Sequence, residues 1–314
     1  MNMKLASVLN NRINGNRYRS KVMKDKAFAV SLVVPALIML ILTIIIPVIS
    51  VVRMSFFEYN LLHMDKAPWN NFDNYISVLK DKEFYLSFLR TITYVFSTVG
   101  LAFITGLIFA LLLNTEIKGK NLFRGALFLP WTMPQVIIAI VWMWMFQTDY
   151  GIMNYVLKSL HLIQENINWV GDPKTAMLSV IIATVWKQMS IMMVIILAGL
   201  QTVPAELKEA ALMDGANAFQ RFWNVILPSI MSVIKTVTLT QIIINFQMFG
   251  LFYTMTGGGP VDATSVLSIY THEAAFMSFN MGKGAAVGVT WLLFLIGFAA
   301  LYNKVLSRKE IYAD

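Results

Sequence analysis

Six long apolar runs constrain this chain more than any other feature: about Ala27 to Val52, Phe88 to Leu113, Ala126 to Phe146, Ala176 to Leu200, Ser229 to Met255 and Gly284 to Lys304. A bilayer core about 30 Å thick is crossed by a helix of about 20 apolar residues. The runs therefore predict an all-α, polytopic membrane protein with six transmembrane helices and both termini on one side. Composition agrees. Of 314 residues, 57% are hydrophobic and 13% charged, more apolar surface than one soluble core would bury.

Orientation follows from the basic residues, because cytoplasmic segments keep an excess of Lys and Arg. With the N-terminus inside, inner segments hold 16 of the 25 basic residues and outer segments eight, while Lys187 lies within a span. Both termini are thus expected in the cytoplasm. The net charge of +8 reflects this asymmetry and not nucleic-acid binding, which needs a basic soluble face. The chain has no cysteine, so thiol chemistry and cysteine metal sites are excluded. His63, His161 and His272 share no ligand spacing, and all three are expected to be solvated; no metal or catalytic residue is predicted.

Residues 1–26 carry seven basic residues and read as a cytoplasmic arm near anionic lipid. The following run of about 26 residues exceeds a signal-peptide core, so no cleavage is expected. Residues 27–308 form the six-span domain, and 309–314 a cytoplasmic tail. Pro35 and Pro47 predict kinks in the first span. Phe72 to Leu86 reads as a short helix on the membrane face, and Asn114 with Gly119 as a turn. Pro130 and Pro134 free backbone carbonyls in the third span unless it packs against protein. Trp142, Trp144 and Phe146 suit a headgroup belt, with solute contact as the other reading. Ile152, Tyr155, Val156, Leu160 and Ile163 follow helical spacing, which predicts an amphipathic surface helix serving as scaffold or as a docking surface.

Lys187, beside Gln188, is the one charge placed mid-span. It costs about 2.5–3.5 kcal/mol there, offset by surrounding Leu, Ile and Val, so it must face protein or water. Two readings stand together: an intramembrane functional charge, or a structural lysine bonded to helix-end carbonyls. No Asp or Glu lies deep in a span, no inverted repeat is visible, and no phosphate-cradling loop is present. Energy for any uphill transport must come from another polypeptide.

The longest informative hydrophilic stretch is 204–228, between the fourth and fifth runs. Pro204 is placed to start a helix, with Glu206 and Glu209 where negative charge favours the N-terminal dipole. Ala210 and Ala211 form a slim face, and Gly215 suits a reversal needing positive φ. Phe219, Phe222, Trp223 and Ile226 then seat a second helix on the bundle, and Pro228 leads into the next span. From physics alone this is either an interfacial connector or a rigid knob.

The same stretch, EAALMDGANAFQRFWNVILP, resembles the signature loop of ABC importer permeases: Glu209, Ala210, Ala211, Gly215, then Val225 in place of the usual isoleucine, Leu227 and Pro228. LFRGALFLPWTMP, DYGIMNYVL, VWKQMSIMMVIILAGLQTVPAELKEAA and FQMFGLFYTMTGGGP are similar to the carbohydrate-uptake branch. More closely, they resemble the first permease of a maltose-type or glycerol-3-phosphate-type pair. The similarity runs from about residue 27 to 308.

The resemblance implies a type I importer permease fold in a bacterial or archaeal plasma (inner) membrane. It implies a heterodimer with a second permease, two copies of a cytoplasmic ATP-binding subunit that hold ATP and Mg, and an extracytoplasmic solute-binding protein delivering sugar. On that reading this chain is non-catalytic, carries no cofactor, and touches lipid but no nucleic acid. Glu206, Glu209, Ala210, Ala211, Asp214, Gly215, Leu227 and Pro228 become the ATPase-coupling set. In the fifth span Phe246, Phe249, Gly250 and Tyr253 fall on one face of a continuous helix, beside Asn245 and Gln247. That stripe is packing core or, as the resemblance implies, sugar-binding surface. Gly257, Gly258, Gly259 and Pro260 read as a flexible outer hinge. A related importer of glycerol-3-phosphate or another polar solute, and a stand-alone secondary carrier, are the alternative functions.

Overall fold

A computed structural model describes residues 28, 30–63, 67–115 and 118–307. The expectations for the basic arm 1–26 and the tail 309–314 lie outside the described residues. Four uninterrupted helices are long and apolar enough to cross a membrane: α1 (Val30–Met54), α3 (Lys82–Leu113), α7 (Ala176–Gln201) and α13, which runs Met281–Ser307. Two further crossings are broken. Helix α4 (Lys120–Thr132) meets α5 (Gln135–Met145) at 101°, and α9 (Ala218–Ser229) meets α10 (Met231–Phe246) at 68°. Counting each bent pair once gives the six crossings expected from sequence. The expected continuous third span is corrected by its break at Pro134, and the expected continuous fifth span, Ser229 to Met255, by an interruption between Phe246 and Gly250, while α9 belongs to the hydrophilic 204–228 stretch that precedes that span. Short helices α2 (Asp73–Lys80), α6 (Ile152–Ser159), α8 (Ala205–Met213), α11 (Gly250–Met255) and α12 (Leu267–His272) complete the fold. No strand occurs among the described residues, only isolated bridges such as Phe57 with Trp69.

Prolines act differently from a simple kink. In α1 and α9 a widened π turn, Ile41–Ile45 and Phe222–Ile226, ends two residues before Pro47 and Pro228. A missing amide and a ring clash with the preceding turn favour such local widening. Helix α1 passes Pro35 as one element. Pro134 instead takes extended backbone (φ −56°, ψ 143°) and breaks the third crossing.

The centre of the bundle is α3 against α7. Ala102, Gly106 and Ala110 recur every fourth residue and let the two backbones close together. A Cβ on Gly106 would lie 2.6 Å from Met192 Cβ. The opposite faces of α3 are apolar and exposed, as lipid-facing surface requires, and the described span of α1 buries nothing within this chain.

The surface helix expected over Phe72 to Leu86 is corrected. It is α2, then a break at Asp81, whose carboxylate caps α3 through the Glu83 amide at 3.0 Å. The transmembrane helix thus starts at Lys82. The aromatic belt is corrected too: Trp142 and Phe146 are core side chains packed with Trp186 and Trp169, and only Trp144 faces outward.

Candidate functional site

The stretch 204–228 folds into two helices standing at one end of the bundle. Pro204 has the extended conformation that precedes a first turn, and α8 begins at Ala205 with Glu206 in that turn. Gly215 takes φ +76°. The Ala216 amide bonds the Ala211 carbonyl at 2.9 Å and the Gly215 amide that of Leu212 at 3.0 Å, a Schellman closure with glycine at its left-handed position. Two residues later Asn217 and Gln220 form a reciprocal capping box that starts α9. The joint is therefore fixed by four local hydrogen bonds and one glycine.

Glu206, Glu209, Ala210, Asp214, Gly215 and Pro228 are exposed on this knob, as are Leu212, Met213, Phe219 and Trp223. Two members of the set are not on its outer surface. Ala211 is buried where α8 packs on the π turn of α9, so the slim alanine face serves partly to close the knob on itself. Leu227 packs against the cluster of Ile196, Leu200 and Ile230 at the end of the bundle. Nor does Pro228 open a straight path into the span; it lies just before the 68° bend.

The expected aromatic face of the fifth crossing is corrected, because α10 ends at Phe246 and α11 begins only at Gly250. The break separates the six residues. Phe246 is buried among Trp291, Phe294 and Phe298. Asn245 is buried in a reciprocal amide pair with Gln188 at 2.8 and 3.0 Å. Gln247 is exposed at the break. Beyond it Phe249 stacks on Tyr253 at 5.1 Å, and both rings meet His272 at 5.2 and 5.1 Å. Phe276 completes this group on the far side of His272. Gly250 admits Gln135 of α5, whose Oε1 lies 2.9 Å from where a Cβ would stand.

His272 is thus half-buried in an aromatic cluster and not solvated, unlike His63 and His161. Sequence reading missed it and Phe276, although their spacing of four on one short helical segment was a usable signal. The cluster offers half-exposed ring faces and one imidazole. Such a surface can stack on the apolar face of a sugar ring while the imidazole and nearby amides meet hydroxyl groups.

Lys187 donates to the Trp131 carbonyl at 3.1 Å and the Met133 carbonyl at 2.6 Å. Of the two sequence readings, this is the helix-end arrangement. The hinge reading of 257–260 is corrected: Gly257 and Gly258 take positive φ, and Thr264 Oγ1 donates to the Gly259 carbonyl at 2.7 Å. A Cβ on Gly258 would lie 2.9 Å from Ile269 Cγ2. It is a packed turn.

At the same end of the bundle lies a polar cleft of about 450 Å³ lined by Asp81, Glu83, Asp262, Tyr270, Glu273 and Lys283 among others. Partial burial would raise the Asp81 carboxyl, but hydrogen bonds from Lys283 (2.6 Å) and Tyr270 (2.7 Å) hold it below the usual carboxylate range. Burial and the same bond push the Tyr270 hydroxyl up. Glu273 is pushed up by burial and by the negative Asp262 and Glu83.

Residues 102–310 match the family described as binding-protein-dependent transport system inner membrane component. The chain is 34% identical over 277 residues to the trehalose/maltose transport system permease protein MalF of Thermococcus litoralis, covering 87% of this chain and 92% of that one. It is also 34% identical over 286 residues to the sulfoquinovosyl glycerol transport system permease protein SmoG of Agrobacterium fabrum, covering 91% and 92%. A chain from the crystal structure of a bacterial ABC transporter importing the acidic polysaccharide alginate superposes with a TM-score of 0.77 at 19% identity, over 92% of this chain and 98% of that one. That likeness is one of fold.

Proposed function

The chain belongs to the family of binding-protein-dependent transport system inner membrane components, and from that premise we propose that it is one permease half of an ATP-driven importer for a carbohydrate. A second permease completes the pathway, two cytoplasmic ATP-binding subunits drive it with ATP and Mg, and an extracytoplasmic solute-binding protein delivers the sugar. Both termini and the 204–228 knob then lie in the cytoplasm. The chain itself performs no catalysis.

The observation that carries this reading is the knob. Its joint is closed by its own backbone and caps, so its exposed carboxylates and apolar side chains remain for another protein. A lever that transmits the closing of a motor must be stiff and must offer complementary charge; Glu206, Glu209 and Asp214 supply carboxylates to a basic cleft. At the other end, Phe249, Tyr253, His272 and Phe276 form the stacking surface, with Gln247 and Gly250 at its edge. Asn245 and Phe246 support it from within.

The experiment is to purify the chain with its associated subunits in nanodiscs and measure ATP hydrolysis with sugar-loaded binding protein. Stimulated hydrolysis and uptake that both need the ATPase are expected. Concentrative uptake by this chain alone would overturn the proposal.

A further inference from the structure

Both broken crossings meet helix α7 at adjacent residues. Successive side chains on a helix point about 100° apart, so Lys187 and Gln188 necessarily reach different neighbours. Lys187 takes the carbonyls of Trp131, in the last turn of α4, and of Met133, its C-cap, just before the 101° bend into α5. Gln188 takes Asn245, the next-to-last residue of α10 before the gap to α11, at the end of α10 away from its 68° bend, and the Asn245 amide also donates to the Gln241 carbonyl at 2.8 Å. Beyond the two breaks, α5 packs on α11, with Gln135 against Gly250.

Chemistry explains why these residue types stand there. Extended backbone at Met133 and Pro134 ends α4, so carbonyls at its end are left without helical donors inside a membrane. Sodium-coupled carriers fill such unwound carbonyls with a metal cation. Here a tethered ammonium sits on them. Gln188 and Asn245 satisfy each other's donor and acceptor in one closed pair, which fixes the side-chain amide of Asn245.

We propose that Lys187 and Gln188 are positioning residues that fasten both discontinuous crossings to α7, so that the half-helices bearing the aromatic site keep one register. Lys187 acts as a built-in cation for the first break. The functional part of this inference rests on the transport reading above; the fastening itself does not.

The absence of cysteine permits labelling without background. Spin labels at Ile140→Cys on α5, Ile244→Cys on α10 and Val194→Cys on α7, all exposed positions, report in nanodiscs and without any solute how α5 and α10 are held on α7. Lys187→Met is expected to broaden or shift the 140–194 distance, and Gln188→Leu the 244–194 distance, while Lys187→Arg keeps the wild-type distribution. In the complete transporter, Lys187→Met and Gln188→Leu should each raise the half-saturating sugar concentration about 10-fold, and Lys187→Arg should recover most of it. Methylammonium should partly restore Lys187→Ala and leave wild type unchanged, which lost packing alone would not produce. Unchanged distances in Lys187→Met, or Lys187→Arg behaving as Lys187→Met, overturns the inference. Expected distances with no sugar movement by wild type would instead sink the transport reading and leave the fastening in place.

Discussion

The two ends of the bundle are held together by different kinds of bond. The knob over Ala205–Ser229 is joined by contacts between residues three to five apart, such as Ala216 to Ala211 and Asn217 to Gln220. The opposite end is cross-braced over the length of the chain. Tyr270 and Lys283 converge on Asp81, and Thr91 Oγ1 accepts the Leu267 amide at 2.8 Å. A segment bound mainly to itself keeps its shape when displaced as a body. A segment braced to distant helices moves only when they do. On the transport reading proposed above, the difference suits one end to receive a push and the other to pass it on as a rearrangement of whole helices.

The most damaging way to break the contrast is at Gly215. Nothing lies within 4 Å of a Cβ built there, so a substitution acts through backbone alone. At φ +76° a non-glycine residue costs about 1–2 kcal/mol, and a β-branched one more. Gly215→Val is expected to abolish uptake while protein still reaches the membrane, measured by transport and membrane fractionation together. Gly215→Asn, tolerated at this helix-end position, should keep much of the activity. Equal uptake by Gly215→Val and wild type would remove the joint from the mechanism.

That joint was legible in the sequence because it is local. Pro204, Gly215 and the neighbours of Asn217 signal their structure within a few positions, so helix, reversal and second helix follow from spacing. The aromatic site was half legible for the opposite reason. Phe246, Phe249, Gly250 and Tyr253 obey a helical period only if the helix continues, and no proline or glycine pair announced that α10 stops at Phe246. The partners that complete the picture, Trp291 around Phe246 and His272 beside Tyr253, lie 45 and 19 positions away. Long-range packing overrode local periodicity there. Lys187 was conspicuous as a charge, yet its carbonyl partners came from Pro134, some fifty residues earlier.

A smaller effect is expected at Asn154, which braces the Gln147–Lys174 loop. Its amide donates to the Thr148 and Ile167 carbonyls and accepts from the Ile167 amide and Trp169 Nε1, all at 2.9–3.2 Å, and it is 3% exposed. Asn154→Ala strands buried partners and should cost roughly 2–3 kcal/mol. Faster hydrogen exchange confined to residues 147–174 is the expected readout. Exchange unchanged there would show that the loop is held by other means.

Asp81 tests the cross-bracing directly. Asp81→Asn keeps the shape but weakens the bonds from Lys283 and Tyr270, at roughly 1–2 kcal/mol. The sign with pH follows from the direction of its shift. A carboxyl held below its usual range in the folded chain binds protons less tightly folded than unfolded. Its stabilisation is therefore present above the ordinary carboxylate range and lost as pH falls through the lower, folded value. Thermal unfolding in detergent should show an acid-side fall that Asp81→Asn reduces.

Glu273, in the same cleft, runs the other way and gives the smallest effect. Burial and the charges of Asp262 and Glu83 raise its pKa, so the folded chain holds this proton more tightly than the unfolded one. Its contribution is then most favourable below the ordinary glutamate range and declines as pH rises through the raised value. Glu273→Gln cannot ionise and should be slightly more stable than wild type at neutral pH, by less than about 0.5 kcal/mol, with the difference vanishing in acid. A variant less stable at neutral pH would mean that the ionised carboxylate is a brace like Asp81. The brace at this end of the bundle would then have two anionic anchors, and the cleft between them would be part of the framework that carries the rearrangement.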